Sequence, residues 1–245
     1  IDTGSGDIYV GGDFTTFASQ IRLRVAKISS SGALVTTWDV GTLFANGQVR
    51  ALTPDTGASD RLVIGGSFTD VGADPTHDYL TKVLFADASH QAYNRQLNGP
   101  VNSIILQADD KIAIAGEFTQ ANGLTRNRIA RFDSAGATDL VVNYGDGFNN
   151  TVQQMILGGA NHFVAVGEFT QFDGNTVNNL VRILGSDITG PIPTNGRLEF
   201  SAAATTVQED SGTATITVKR TAGLTGTITV DFGTVEKTFQ QGNVS

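Results

Sequence analysis

The sequence predicts an all-β fold built from four diverged copies of one unit, and three observations predict it. A short pattern recurs four times at nearly constant spacing. Charged residues make up only 16% of the chain and glycines number 29, a balance that suits many short strands joined by tight turns and suits helices poorly. Turn-forming clusters also separate apolar runs that are too short for helices.

The pattern is first seen as Ile8-Tyr9-Val10-Gly11-Gly12-Asp13-Phe14-Thr15. It returns as Leu62-Val63-Ile64-Gly65-Gly66-Ser67-Phe68-Thr69 and as Ile112-Ala113-Ile114-Ala115-Gly116-Glu117-Phe118-Thr119. The fourth copy is Phe163-Val164-Ala165-Val166-Gly167-Glu168-Phe169-Thr170. Phe14, Phe68, Phe118 and Phe169 are therefore 54, 50 and 51 residues apart. A basic residue follows each of them after 13, 14, 13 and 13 positions: Lys27, Lys82, Arg131 and Arg182. Each of these sits in an apolar run, such as Ile129-Ala130-Arg131-Phe132. Turn chemistry lies between the runs, as in Ser30-Ser31-Gly32 and Asp173-Gly174-Asn175.

The clearest unit predicts four strands, at about 101–107, 111–118, 127–133 and 138–143. Four short antiparallel strands per repeat is the make-up of a propeller blade. Blades bury both faces of their sheet, which accounts for near-continuous apolar runs such as Ile112-Ala113-Ile114-Ala115. The glycine that precedes the acid–Phe pair reads as a place where a neighbouring backbone or ring comes close. The expectation is a β-propeller-like repeat array of about four blades over residues 1–187. Propellers commonly have more blades than four. Either the array is part of a larger propeller, or it is unusually small or open. The chain opens at Ile1 in mid-repeat, without a starting Met, and reads as a piece of something longer.

The strand [V/I]-G-G-x-F-T, followed by R-[I/V]-A-[R/K] and a turn, resembles the delta-60 repeat of bacterial surface proteins with propeller-like arrays. Lys111–Asp133 and Asp7–Ile28 match best. The second copy departs most, with Ala73-Asp74-Pro75-Thr76-His77 where an Asn-Gly turn is usual.

Residues 188–196 read as a linker rich in Gly, Pro and Ser/Thr. Beyond it, Ala214-Thr215-Ile216-Thr217-Val218-Lys219-Arg220 and Thr227-Ile228-Thr229-Val230-Asp231-Phe232 alternate with period two, as solvent-facing antiparallel strands do. Residues 197–245 resemble the start of a Calx-beta domain, an immunoglobulin-like β-sandwich, of which only the N-terminal part is present. In calcium-binding members, carboxylates cluster at one end of the sandwich. By motif match Glu209 and Glu236 would be ligand positions, so the resemblance implies calcium as the one cofactor to consider. Ca²⁺ takes six to eight oxygens. The plainer reading makes Glu209 and Asp210 a solvated turn.

Two further candidates have plainer readings as well. Asp13, Ser67, Glu117 and Glu168 stand before the four phenylalanines and could line a channel. Asp13, Glu117 and Glu168 each have a basic residue one strand later, which predicts cross-strand ion pairs with Lys27, Arg131 and Arg182. Trp38, Tyr79, Tyr93 and Tyr144 could stack on sugars, but core packing is the commoner use of aromatics. No catalytic motif appears: His77, His90 and His162 have no metal-type spacing, and there is no nucleophile elbow or phosphate loop. The expectation is a protein without catalytic residues.

A net charge of -8 repels phosphate backbones, so nucleic acid is not an expected partner. No apolar run is long enough for a membrane-spanning helix, and without cysteines there are no disulfides or thiolate metal sites. The resemblances imply a structural or adhesive module of a large secreted or cell-surface bacterial protein. A glycan- or protein-binding propeller is the second reading, and a propeller hydrolase or lyase the third.

Overall fold

The computed structural model describes residues 6–44, 46–55, 60–69, 78–91, 93, 95–107, 109–133, 136–140, 142, 144–158 and 162–185. It also describes the backbone of two further strands, Arg197–Phe200 and Val218–Thr221. All regular structure among these residues is β. The chain divides into two compact units, Ile1–Asp187 and Ile188–Ser245.

The first unit holds four modules. Module 1 contains β1 (Ile8–Gly11), β2 (Thr16–Phe17), β3 (Gln20–Ile21) and β4 (Val25–Ile28). Module 2 contains β5 (Val49–Asp55), β6 (Arg61–Gly66), β7 (Leu80–Leu84) and β8 (His90–Gln91). Module 3 contains β9 (Val101–Leu106), β10 (Ile112–Gly116), β11 (Gln120–Ala121), β12 (Leu124–Thr125) and β13 (Ile129–Phe132). Module 4 contains β14 (Val152–Leu157), β15 (His162–Gly167), β16 (Gln171–Phe172), β17 (Asn175–Thr176) and β18 (Leu180–Leu184). In the second unit, β19 (Arg197–Phe200) pairs antiparallel with β20 (Val218–Thr221).

The recurring sequence pattern is the central strand of each module: β1, β6, β10 and β15. The strand carrying the basic residue flanks it on one side, and in modules 2–4 a first strand (β5, β9, β14) flanks it on the other. One register recurs. Val49 pairs with Gly66, Val101 with Gly116 and Val152 with Gly167, each across a bulge. The expected glycine role holds here. A Cβ on Gly66, Gly116 or Gly167 would lie 2.0 Å, 2.2 Å and 2.2 Å from the carbonyl oxygens of Gln48, Pro100 and Thr151. Only a hydrogen lets the first strand approach so closely.

Three apolar clusters form the core, one at each boundary between consecutive modules. β10 shows the logic. Ile112 and Ile114 face module 2 beside Val63, Leu80 and Tyr93, while Ala113 and Ala115 face module 4 beside Met155, Phe163 and Ala165. Both faces are covered, so the run is apolar throughout. In module 4 the pattern becomes one-sided: Phe163 and Ala165 are fully buried, whereas Val166 and Leu180 are 36% and 60% exposed. No further module packs on that face among the described residues.

One sequence expectation needs correction. The fourth strand at 138–143 is reduced, among the described residues, to a bridge between Phe132 and Thr138; only module 2 has a short fourth strand, β8. Asp139, next to that bridge, turns inward to meet the buried Arg131. The stretch between the central and third strands instead folds into a hairpin, β2–β3, β11–β12 or β16–β17. Its two turn residues have positive φ in each case: Ala18-Ser19, Asn122-Gly123 and Asp173-Gly174. Positive φ at both central positions is the tight hairpin turn that matches strand twist.

Candidate functional site

The residues that recur are the natural place to look for a site, and the structure shows how each is used. Thr69, Thr119 and Thr170, which end the recurring pattern, are each held by an asparagine just ahead of the module's first strand. Asn98 Nδ2 donates to Thr119 Oγ1 at 2.8 Å, and the Asn98 Oδ1 accepts from the N–H of Thr119 at 2.8 Å and of Gln120 at 2.9 Å. Asn149 makes the same three bonds to Thr170 and Gln171. Asn46 makes two of them to Thr69. Sequence reasoning passed over this clasp, although its signal is present: Asn46, Asn98 and Asn149 each precede a valine by three positions.

The carboxylates before the phenylalanines do not pair as expected. Asp13 pairs with Arg24 and also accepts from Gln48 Nε2 at 2.8 Å. Glu117 pairs with Arg50 of module 2 at 2.6 Å, and Glu168 accepts from Gln153 at 3.2 Å. Ser67 Oγ accepts the Gln48 N–H. The register explains the difference. Lys27, Arg131 and Arg182 lie opposite Tyr9, Ala113 and Val164, four residues before the acids. At about 3.4 Å per residue that offset is beyond side-chain pairing. Lys27 meets Asp7 at 2.9 Å instead, and Arg182 donates to His162 Nδ1.

The two most buried basic residues sit in closed polar clusters. Arg131 donates to Asp139 Oδ2 at 2.6 Å, to Gln107 Oε1 at 3.1 Å and to the Gly185 carbonyl at 3.2 Å. Lys82 donates to Asp55 at 2.7 Å, with its ammonium 4.3 Å from the Tyr93 ring centroid. Arg95 stacks on the same ring at 3.5 Å. Burial pulls the Lys82 pKa below its usual value against the opposing pull of Asp55, and burial pushes the Tyr93 phenol up. These groups brace the sheets and open onto no described cavity.

The remaining candidates are spent on structure or lie elsewhere. Trp38, Tyr93 and Tyr144 are core residues, and Trp38 Nε1 donates to the Leu84 carbonyl. His90 bonds Thr81 Oγ1 at 2.8 Å. Among the described residues no three His, Asp or Glu side chains are grouped as metal ligands. Glu209, Glu236, His77 and the 73–77 turn lie outside the described residues, so no geometry bears on calcium. No helix of the described residues is long and apolar enough to cross a membrane.

Described residues also line surface grooves. One, of about 400 Å³, lies between β1 and β5 and is lined by Ile8–Gly11 and Val49–Leu52. Another, of about 310 Å³, lies between modules 3 and 4 and is lined by Thr119, Asn127, Arg128, Asp146, Asn149 and Gln171 among others. Its lining carries three side-chain amides, the Arg128 guanidinium and one carboxylate, Asp146, and its one aromatic, Phe148, is buried.

Repeated antiparallel modules that share apolar clusters across their faces define a propeller-like repeat protein. A family match agrees with that class. Residues 4–34 and 107–140 match a domain family of unknown function described as a β-propeller (DUF5122). No curated protein matches the chain. Among solved structures, it is similar to the extracellular domain of a hybrid two-component system from B. thetaiotaomicron, at 14% identity and a TM-score of 0.38 over 79% of the chain. The chain spans about a fifth of the length of that structure, 21%.

Proposed function

We propose that the chain is a non-catalytic structural or adhesive module of a large secreted or cell-surface bacterial protein. In this reading delta-60-type repeats form the array and a Calx-beta-like sandwich follows it. One observation supports it above the others. The residues that recur from module to module are consumed in fastening the repeat: asparagine to threonine, glycine to carbonyl, carboxylate to a neighbouring strand. A repeated residue that serves the repeat is what a stacked scaffold needs. A Cys-free, acidic surface suits a rigid part outside the cell, where net charge keeps chains apart.

Protease shaving of intact cells that carry the full-length protein tests the location and role. Release of array fragments together with loss of cell attachment is expected. Full protection of the array would sink the reading, and so would turnover of any substrate in a hydrolase and lyase panel. Calcium belongs to this proposal through Glu209 and Glu236 alone. Melting the chain with calcium and with EDTA decides it, since an unchanged midpoint removes the ion.

The polar groove between modules 3 and 4 favours a second reading, a glycan- or protein-binding propeller. Its amides and Asp146 are the groups that hydroxyl-rich or peptide ligands engage. A glycan-array hit that Asp146→Ala abolishes would establish this reading.

A further inference from the structure

We propose that the groove between modules 3 and 4 binds a uronic-acid unit of a glycan, with Arg128 holding the sugar carboxylate and Asp146 the hydroxyls. This presupposes the glycan-binding reading of that groove and adds the charge and orientation of the ligand.

Comparison of two repeats sets Arg128 apart. It stands directly before β13, as Arg24 stands directly before β4, and both have positive φ, 66° and 70°. In module 1 the acid ahead of the phenylalanine neutralises the arginine, since Arg24 pairs with Asp13. In module 3 the matching acid, Glu117, is drawn to Arg50 at 2.6 Å instead. Arg128 is left without an ion pair among the described residues. Its Nη1 donates to the Phe118 carbonyl at 3.3 Å, and its Nη2 donates to no described group. A half-buried guanidinium with no carboxylate gains from an incoming anion, because the charge-assisted bond forms where part of its hydration is already lost.

The neighbouring polar groups are held in place and have free ends. Arg128, Asn127, Asp146 and Gln171 all line the groove. The Arg128 N–H donates to the Phe118 carbonyl at 2.8 Å, and its own carbonyl accepts from the Gly116 N–H at 3.1 Å. Asp146 donates its N–H to Asp173 Oδ1 at 3.1 Å and accepts from Asn127 Nδ2 at its carbonyl at 2.8 Å. Its exposed carboxylate pairs with no described residue. The Gln171 N–H is held by Asn149 Oδ1 at 3.0 Å, which leaves its side-chain amide for a ligand. Fixed backbones that carry unbonded side chains are preorganised for binding. Arg128 and Asp146 share the groove without forming an ion pair with each other, so both charges remain available.

The ligand's chemistry follows. A carboxylate is attracted to Arg128 and repelled by Asp146, which orients it. Hydroxyls donate to Asp146 and accept from Gln171. A uronic acid carries both kinds of group on one ring. A volume of about 310 Å³ is at the low end for ligand sites and suits roughly one sugar unit. A peptide fits less well, because the one aromatic in the lining, Phe148, is buried and offers side chains no apolar platform.

The test follows amide NMR shifts of the full chain titrated with methyl glucuronide and methyl galacturonide, each against its neutral glycoside, which carries a hydroxymethyl group for the carboxylate. At least one uronide should saturate, with a Kd on the order of 1 mM and about tenfold below that of its neutral counterpart, the gain from one charge-assisted pair. The shifts should centre on Asn127, Arg128, Asp146 and Gln171. Arg128→Gln should erase the preference for the uronide, and Arg24→Gln should leave it intact. If circular dichroism shows Arg128→Gln to be misfolded, Arg128→Lys serves in its place and should reduce the preference several-fold. Equal binding of uronide and neutral glycoside, with both lost on Asp146→Ala, would overturn the carboxylate assignment and leave the glycan-binding reading standing. The proposal also falls if no probe saturates, if the Arg128 variants keep the full preference, or if the peptide acetyl-Gly-Glu-Gly-amide binds more tightly than either uronide.

Discussion

Gly116 and Gly12 occupy the same place in two copies of one repeat, yet substituting them should have opposite consequences. An alanine Cβ at Gly116 would sit 2.2 Å from the Pro100 carbonyl oxygen and 3.0 Å from the Asn102 nitrogen, both backbone atoms. A contact of 2.2 Å is one that real side chains do not make, so β9 must move by roughly 1 Å. Overpacking of that kind costs about 1–3 kcal/mol. Moving β9 also breaks the bond from Glu117 N–H to the Pro100 carbonyl, now 2.8 Å, for about 1 kcal/mol more. Gly116→Ala should therefore destabilise the array by about 3 kcal/mol. Gly12→Ala meets only a ring edge at 3.3 Å and removes freedom from the unfolded chain. It should be neutral or stabilise by up to about 1 kcal/mol. Urea unfolding followed by the fluorescence of Trp38, the only tryptophan, measures both. At roughly 2–4 °C per kcal/mol for a unit of this size, the Gly116→Ala midpoint should fall by about 6–12 °C. Gly116→Ala within about 0.5 kcal/mol of the parent would refute the close-approach argument. Equal losses at both positions would refute the claim that the contact with the Pro100 carbonyl sets the cost at Gly116.

The other predictions address the clasp, the buried ion pair and the tyrosines. Asn98→Ala removes three hydrogen bonds at an exposed site, where water can replace part of them, so urea unfolding should show a loss of about 1–2 kcal/mol. Arg131→Met strands Asp139, whose side chain is 4% exposed, and should cost about 3 kcal/mol, the low end for a broken buried pair because Lys111 stands 3.8 Å from the carboxylate. Adding Asp139→Leu to Arg131→Met should recover much of that loss, and a double variant no better than the single one would contradict the pairing. Burial raises the phenols of Tyr9, Tyr79 and Tyr93 above the ordinary value of 10.0. The folded state then holds its protons to higher pH than the unfolded one, so this stabilisation is full below pH 10 and is lost as pH rises through the folded values. Absorbance at 295 nm should therefore rise at higher pH for the native chain than for the chain in denaturant, and coincident titrations would show that the rings are not buried.

The sequence by itself determined the repeat, the central strand and the basic-residue strand of each copy, and its all-β class. Those features rest on local physics: period and turn chemistry of short runs, and a glycine whose missing side chain signals close approach at 66, 116 and 167. It also favoured core packing for Trp38, Tyr79, Tyr93 and Tyr144, of which Tyr79 is only partly buried. The ion partners were not legible, because a cross-strand pairing depends on register, and register depends on where the bulge at Val49, Val101 and Val152 falls. Asp13, Glu117 and Glu168 consequently found Arg24, Arg50 and Gln153 rather than the basic residue at fixed offset. The asparagine clasp was legible only in retrospect, since Asn46 and Thr69 are 23 residues apart and meet only once β5 and β6 are paired. Tertiary structure alone decided the difference between Gly12 and its three counterparts. Similar sequence motifs carry similar local instructions, and the contact each glycine makes, with the Gln48, Pro100 and Thr151 carbonyls at 66, 116 and 167 and with the Phe14 ring at 12, is set by what the fold brings beside it.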